Sequence, residues 1–140
     1  MTRILATGTF EILHPGHLYF LNEAKALGDE LFVVVARDEN IRHKPKPVIC
    51  EEQRCEMVGA LRVVDKAILG DKENFLNPVI EIKPDIIVLG YDQHFNEKDL
   101  EKKLKENNIN AKVVRLPKRE GKLFSSRKIV AKIKEKKKLF

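Results

Sequence analysis

Short, β-branched apolar runs alternate along this chain with longer segments of mixed polarity. The runs at residues 4–6, 31–36, 67–69, 86–89 and 111–114 predict strands from their length, composition and spacing. Ile86-Ile87-Val88-Leu89 is continuous rather than alternating, the pattern of a strand covered on both faces in a parallel sheet. Between the runs the period becomes helical. Leu18, Leu21, Ala24 and Leu27 fall at steps of three, Phe20 broadens the stripe, and Gly28 follows as a stop signal. Further helices are predicted over 51–61, around 78–82, over 97–107 and over 125–137, the last with Ile129, Val130 and Ile133 on one stripe. Strands alternating with helices predict an α/β fold: a Rossmann-like open parallel sheet of about five strands, helices on both faces, in one domain spanning 1–140. The least regular stretches, 37–48, 93–97 and 116–123, follow strand ends, where the ligand loops of such sheets gather.

Composition narrows the class. The chain has 140 residues, of which 43% are hydrophobic and 34% charged, the balance of one soluble globular domain. No stretch approaches the roughly 18 apolar residues of a membrane-spanning helix. No basic region leads into a cleavage site ahead of Ile4-Leu5-Ala6, so a secretory signal is not expected and the expected location is cytoplasmic. Cys50 and Cys55 have no further cysteines beside them; they read as reduced thiols, not as a disulfide framework or a zinc ribbon. The formal charge of +6 gathers between Arg127 and Lys138 and attracts anions. Lys136-Lys137-Lys138 reads as a solvated helix end, where cations complement the helix dipole. Nucleic acid is not an expected partner, because the chain has no Trp, few aromatics and no interleaved basic-aromatic motif.

The informative chemistry lies in Ala6-Thr7-Gly8-Thr9-Phe10-Glu11-Ile12-Leu13-His14-Pro15-Gly16-His17, between the first strand and the first helix. Gly8 permits close backbone approach, and Pro15 suits the first turn of a helix. His14 and His17, three apart, share one side of such a turn. The helix start beside them offers free N–H groups and positive potential, a seat for phosphate. Two imidazoles there can donate to phosphate oxygens and still leave room for an acceptor. The bland reading is a pair of surface histidines. Half a zinc site has the same spacing, but His43 and His94 each stand alone and supply no further ligand set. The segment lacks both the Gly-Lys-Ser/Thr ending of a P-loop and the GxGxxG fingerprint of dinucleotide sites.

Gly8-Thr9-Phe10-Glu11 followed by His14-Pro15-Gly16-His17 resembles the GTFD and HxGH signature of the cytidylyltransferase-like nucleotidyltransferases, with Glu11 where that family usually has Asp. The likeness continues over nearly the whole chain. Arg37-Asp38-Glu39 is similar to the family loop that precedes the acceptor-side lysines, here Lys44 and Lys46, and Glu51-Glu52-Gln53-Arg54 to the helix start whose Arg lies near the site. Gly90-Tyr91-Asp92-Gln93 resembles the loop that meets the base and ribose. Ser125-Ser126-Arg127-Lys128-Ile129 resembles the closing motif that cradles the triphosphate, with Arg127 in place of the usual Thr and Lys118 or Arg119 as neighbouring charge. The resemblance thus implies catalytic roles for His14, His17 and Lys44. It implies nucleotide contacts by Thr9, Phe10, His14, His17, Gly90, Asp92, Ser125, Ser126 and Arg127. It implies acceptor contacts by Glu11, Lys46 and Arg54. Taken alone, Ser125-Ser126 is also an ordinary helix N-cap pair, Asp92 a helix cap, and the Lys44–Lys46 segment a solvated loop.

No serine or cysteine is paired with a base in the sequence, so direct in-line attack by an acceptor phosphate on the α-phosphorus of a triphosphate is expected, with catalysis by positioning and charge stabilisation. Mg²⁺ is the expected divalent metal, bridging phosphates with few protein ligands. Among the family's small members the chain is most similar to the archaeal FAD synthase group, over residues 9–17, 35–39 and 83–93. That likeness implies ATP and FMN as substrates and pyrophosphate as product; the family's habit implies a homodimer. Glycerol-3-phosphate cytidylyltransferase shares every motif and is the alternative enzyme. A nucleotide-sensing module without turnover and a nucleic-acid-binding domain using the basic tail are alternatives of other classes.

Overall fold

The computed structural model describes residues 1–41, 45–91, 93, 95–117 and 125–137. Five parallel strands, β1 (Arg3–Gly8), β2 (Glu30–Val35), β3 (Lys66–Leu69), β4 (Ile86–Leu89) and β5 (Lys112–Arg115), form one sheet in the order β3-β2-β1-β4-β5. The helices are α1 (Pro15–Lys25), α2 (Glu51–Gly59), α3 (Leu76–Ile82), α4 (Glu97–Glu106) and α5 (Ser126–Glu135), with a short 3-10 turn at Asp38–Asn40. Each expected strand and helix is present within a few residues of its expected limits. Ile87, Val88 and Leu89 are fully buried, as a continuous apolar run in a parallel sheet requires.

Two cores cover the two faces. Leu21, Ala24 and Val58 of α1 and α2 pack with Ile4, Ala6, Val33 and Val88 on one side. Leu76, Val79 and Ile82 of α3 and Leu100 and Leu104 of α4 pack with Leu5, Ile87, Leu89 and Val113 on the other. The chain runs outward from β1 to β2 and β3, then crosses back through α3 to β4 and on to β5. The direction of winding therefore reverses between β1 and β4, and the crevice above that boundary is the natural ligand position in such a sheet.

Two local readings change with the structure. Leu21 and Ala24 are buried, but Leu18 and Leu27 are 43% and 41% exposed. A three-residue step falls short of a 3.6-residue turn by about 60°, so the series drifts around α1 instead of keeping to one face, and Leu27 lies beyond the helix end. The helix also stops at Lys25, with Ala26 as its cap. Gly28 answers a different demand: a Cβ there would stand 2.8 Å from the Ile4 side chain and 2.9 Å from the Thr2 carbonyl. In α5 no residue is buried, and the expected apolar stripe leaves Val130 and Ile133 exposed. Among the described residues no helix is long and apolar enough to cross a membrane.

Candidate active site

The end of β1 turns sharply over the sheet. Phe10 adopts a left-handed backbone with φ of 53°, yet its ring is buried in the core. That ring passes so close over Gly8 that a Cβ there would meet it at 2.8 Å. Three residues into α1 the ring of His17 leans on Phe10 with centroids 5.2 Å apart.

His14 is the N-cap of α1, in extended conformation, and Pro15 opens the helix. The Nδ1 of His14 accepts from the Gly16 N–H at 3.0 Å, while the His14 N–H donates to the Nδ1 of His17 at 3.3 Å. The pair thus reproduces with imidazoles the reciprocal bonding of a capping box. Because both Nδ1 atoms accept, a neutral ring carries its proton on Nε2. The rings stack with centroids 3.8 Å apart, which disfavours charging both. Burial pushes the His14 pKa below its ordinary 6.5. The first turn of α1 holds no acidic residue, so nothing there offsets the positive end of the helix.

Behind this turn lies Arg54, only 1% exposed. Its guanidinium donates to the Thr9 carbonyl at 2.6 Å, the Ile49 carbonyl at 2.9 Å and Asp38 Oδ1 at 2.5 Å. Arg54, expected at the acceptor, therefore spends its donors on the protein and fixes the Thr9 backbone. Asp38 is held as well through its N–H, which donates to Glu51 at 3.1 Å, and Glu51 pairs with Arg37 at 2.7 Å.

Across the switch point stands the loop after β4. Gln93 reaches over to β1: its Nε2 donates to the Thr7 carbonyl at 2.7 Å, and its Oε1 accepts from Thr7 Oγ1 at 3.2 Å and from the Gly90 N–H at 3.0 Å. Arg115, the last residue of β5, donates to the carbonyls of Gly90 at 2.8 Å and Gln93 at 2.9 Å. Sequence reasoning passed over Arg115. Its signal was a charged residue closing an apolar strand at the edge where ligand loops gather.

Thr9, Phe10, His14 and His17 are brought together with Arg54 behind them, and Gly90 joins through Gln93 and Thr7. Glu11 is half-buried in the turn and Lys46 is exposed. Ser125 caps α5 by accepting from the Lys128 N–H at 3.1 Å; Ser126 is half-buried and Arg127 exposed at that helix start. Lys44 and Asp92, like His43, His94, Lys118 and Arg119, lie outside the described residues.

Comparison with known proteins places the chain in a family. The model of the cytidylyltransferase-like family matches residues 5–132. An FAD synthase of Archaeoglobus profundus is 59% identical over 134 residues, covering 95% of this chain and 86% of that protein. One from Methanosarcina mazei is 66% identical over 117 residues, covering 84% and 78%. Among solved structures, a protein described as a lipopolysaccharide core biosynthesis protein of Thermoplasma volcanium superposes with a TM-score of 0.83 at 49% identity, covering 86% of this chain and 99% of that one. The match over most of the chain and these relatives lead to one conclusion: the chain belongs to the cytidylyltransferase-like family.

Proposed function

We propose that this protein is an FAD synthase, transferring the adenylyl group of ATP to FMN with release of pyrophosphate. The observation that carries the chemistry is the reciprocally bonded His14–His17 pair, which sets two imidazoles at a helix N-terminus whose first turn holds no acidic residue. The acceptor is supported by relatives named FAD synthase that span most of the chain.

In this reading a phosphate oxygen of FMN attacks the α-phosphorus of ATP in line with the bond to the β-phosphate. A new P–O–P bridge forms, the old one breaks, and its electron pair leaves on pyrophosphate. The second ionisation of a phosphomonoester lies near about pH 6, so the nucleophile is already anionic and needs no general base. His14 and His17 stabilise charge around the α-phosphate and the leaving group. Thr9 and Phe10 line the same turn, with Glu11 and Lys46 on the acceptor side; Arg54 acts from behind, through Thr9. Gly90 and Asp92 meet the nucleoside, Ser125, Ser126 and Arg127 the pyrophosphate, and Lys44 the transferring phosphates. A divalent ion, Mg²⁺ in this reading, travels with the triphosphate and draws on few protein ligands. The working form is taken to be a cytoplasmic homodimer, which sedimentation of the pure protein checks.

The test is a pyrophosphate-release assay with Mg²⁺ that crosses ATP and CTP against FMN, glycerol 3-phosphate and a sugar 1-phosphate. FMN with ATP should release pyrophosphate and yield the flavin dinucleotide. Turnover confined to CTP and glycerol 3-phosphate would transfer the same chemistry to the cytidylyl reading.

A further inference from the structure

Arg115 binds the loop after β4 at three of its described residues. Arg115 faces Leu89 across the β4–β5 ladder, and its guanidinium turns back over the end of β4. There it donates to the carbonyls of Gly90, Gln93 and Phe95, while Glu97 at the start of α4 accepts from Nε at 2.7 Å. Three carbonyl oxygens drawn from one short loop thus converge on one positive charge. Left to themselves, they would set the negative ends of three amide dipoles side by side beyond the end of β4. The guanidinium neutralises them and, being a rigid planar fork, fixes their spacing. The same loop is tied to β1 from its other side by Gln93, and the ring of Phe95 rests against Phe75 with centroids 5.1 Å apart.

We propose that Arg115 is a positioning residue for the nucleotide: it fixes the place and charge of the Gly90, Gln93 and Phe95 carbonyls without touching either substrate. The inference rests on the nucleotidyltransferase reading above. It makes the β4 side of the switch point a preformed wall for the nucleoside, separate from the histidine turn on the β1 side. Loss of Arg115 therefore weakens ATP and leaves the acceptor and the chemical step nearly as they were.

The experiment compares Arg115→Ala, Arg115→Lys and Glu97→Gln with the native protein in steady-state turnover and in calorimetric titration with ATP. Hydrogen bonds to a charged group are among the stronger ones, so Arg115→Ala should raise the KM and the Kd for ATP about ten-fold or more. The kcat should stay within about three-fold, and the KM for FMN should not move. A lysine keeps the charge but cannot span the carbonyls, so Arg115→Lys should fall between. Glu97→Gln keeps the carbonyl bonds and should shift ATP in the same direction by a smaller factor; it carries the test if Arg115→Ala does not fold. An unchanged ATP affinity in a folded Arg115→Ala, an equal rise in both KM values, or a fall in kcat alone would overturn the proposal. If the native protein binds ATP but makes no FAD, the flavin reading falls, while the calorimetric shift still decides on Arg115.

Discussion

His14 and His17 hold each other in place: the His14 N–H donates to Nδ1 of His17, and the two rings lie stacked 3.8 Å apart. The arrangement fixes which nitrogen of each ring carries the proton, and with it what the site can offer an anion. In the free protein both imidazoles should appear as the Nε2–H tautomer by nitrogen-15 NMR near pH 7.5, and His14 should titrate below 6.5. The sign of the linkage follows from that depression. The unfolded chain binds the His14 proton more readily than the folded one, so this group's contribution is present above 6.5 and is lost as pH falls through the lower folded value. Protonation also converts Nδ1 from acceptor to donor and breaks the bond from Gly16. An Nδ1–H tautomer at His14, or a pKa above 6.5, would contradict the geometry.

Separating the structural and chemical duties of the pair is possible because only Nδ1 serves the helix start. Asn is among the best N-cap residues, so His14→Asn should keep the cap while removing the Nε2 donor. It should fold about as stably as the native protein, and its kcat should fall by about a hundred-fold or more, the effect of removing one preorganised donor. His17→Ala should show a similar loss of turnover. Near-native turnover in either variant would move the active site away from the start of α1.

Gly8 and Phe10 present a steric pair with its own test. A Cβ on residue 8 would stand 2.8 Å from the Phe10 ring, and the ring cannot swing away because it is packed in the core with Ala6, Leu21 and Val35. Gly8→Ala should cost about 1–3 kcal/mol, the usual penalty for overpacking, measured by urea unfolding. Adding Phe10→Leu shortens the obstruction, so the double variant should lose less than the sum of the two single losses. Full additivity would show that residue 8 does not press on the ring.

Much of this was legible in the sequence because the signals were local. A buried parallel strand shows itself as Ile86-Ile87-Val88-Leu89, and a helix start as His14-Pro15-Gly16-His17. What could not be read depended on pairs of residues far apart along the chain. Gly28 looked like a helix stop, and its reason is Ile4, 24 positions earlier. Arg115 looked like the end of a strand until its carbonyl partners at 90, 93 and 95 came into view. Arg54 had the residue type of a ligand contact, and only its burial and its bond to Thr9, 45 positions away, showed which groups its donors serve.

That burial makes Arg54 the most sensitive polar position behind the turn. Its side chain is fully enclosed, whereas its carboxylate partner Asp38 is one-third exposed. Removing the exposed partner strands a charge that water cannot reach; removing the buried one leaves a carboxylate that water can. Breaking a buried pair costs about 3–5 kcal/mol when the charge left behind is uncompensated, so Asp38→Ala should approach that range. Arg54→Met should cost less on the side of charge, but it abandons the carbonyls of Thr9 and Ile49 together. Arg54→Lys retains the charge and cannot reach all three acceptors at once. Urea unfolding ranks the three variants, and turnover assigns the role. If Arg54 acts only by holding Thr9, the folded Arg54→Lys protein should lose kcat with little change in the KM for FMN. A KM for FMN raised ten-fold with kcat intact would instead place the guanidinium in contact with the acceptor.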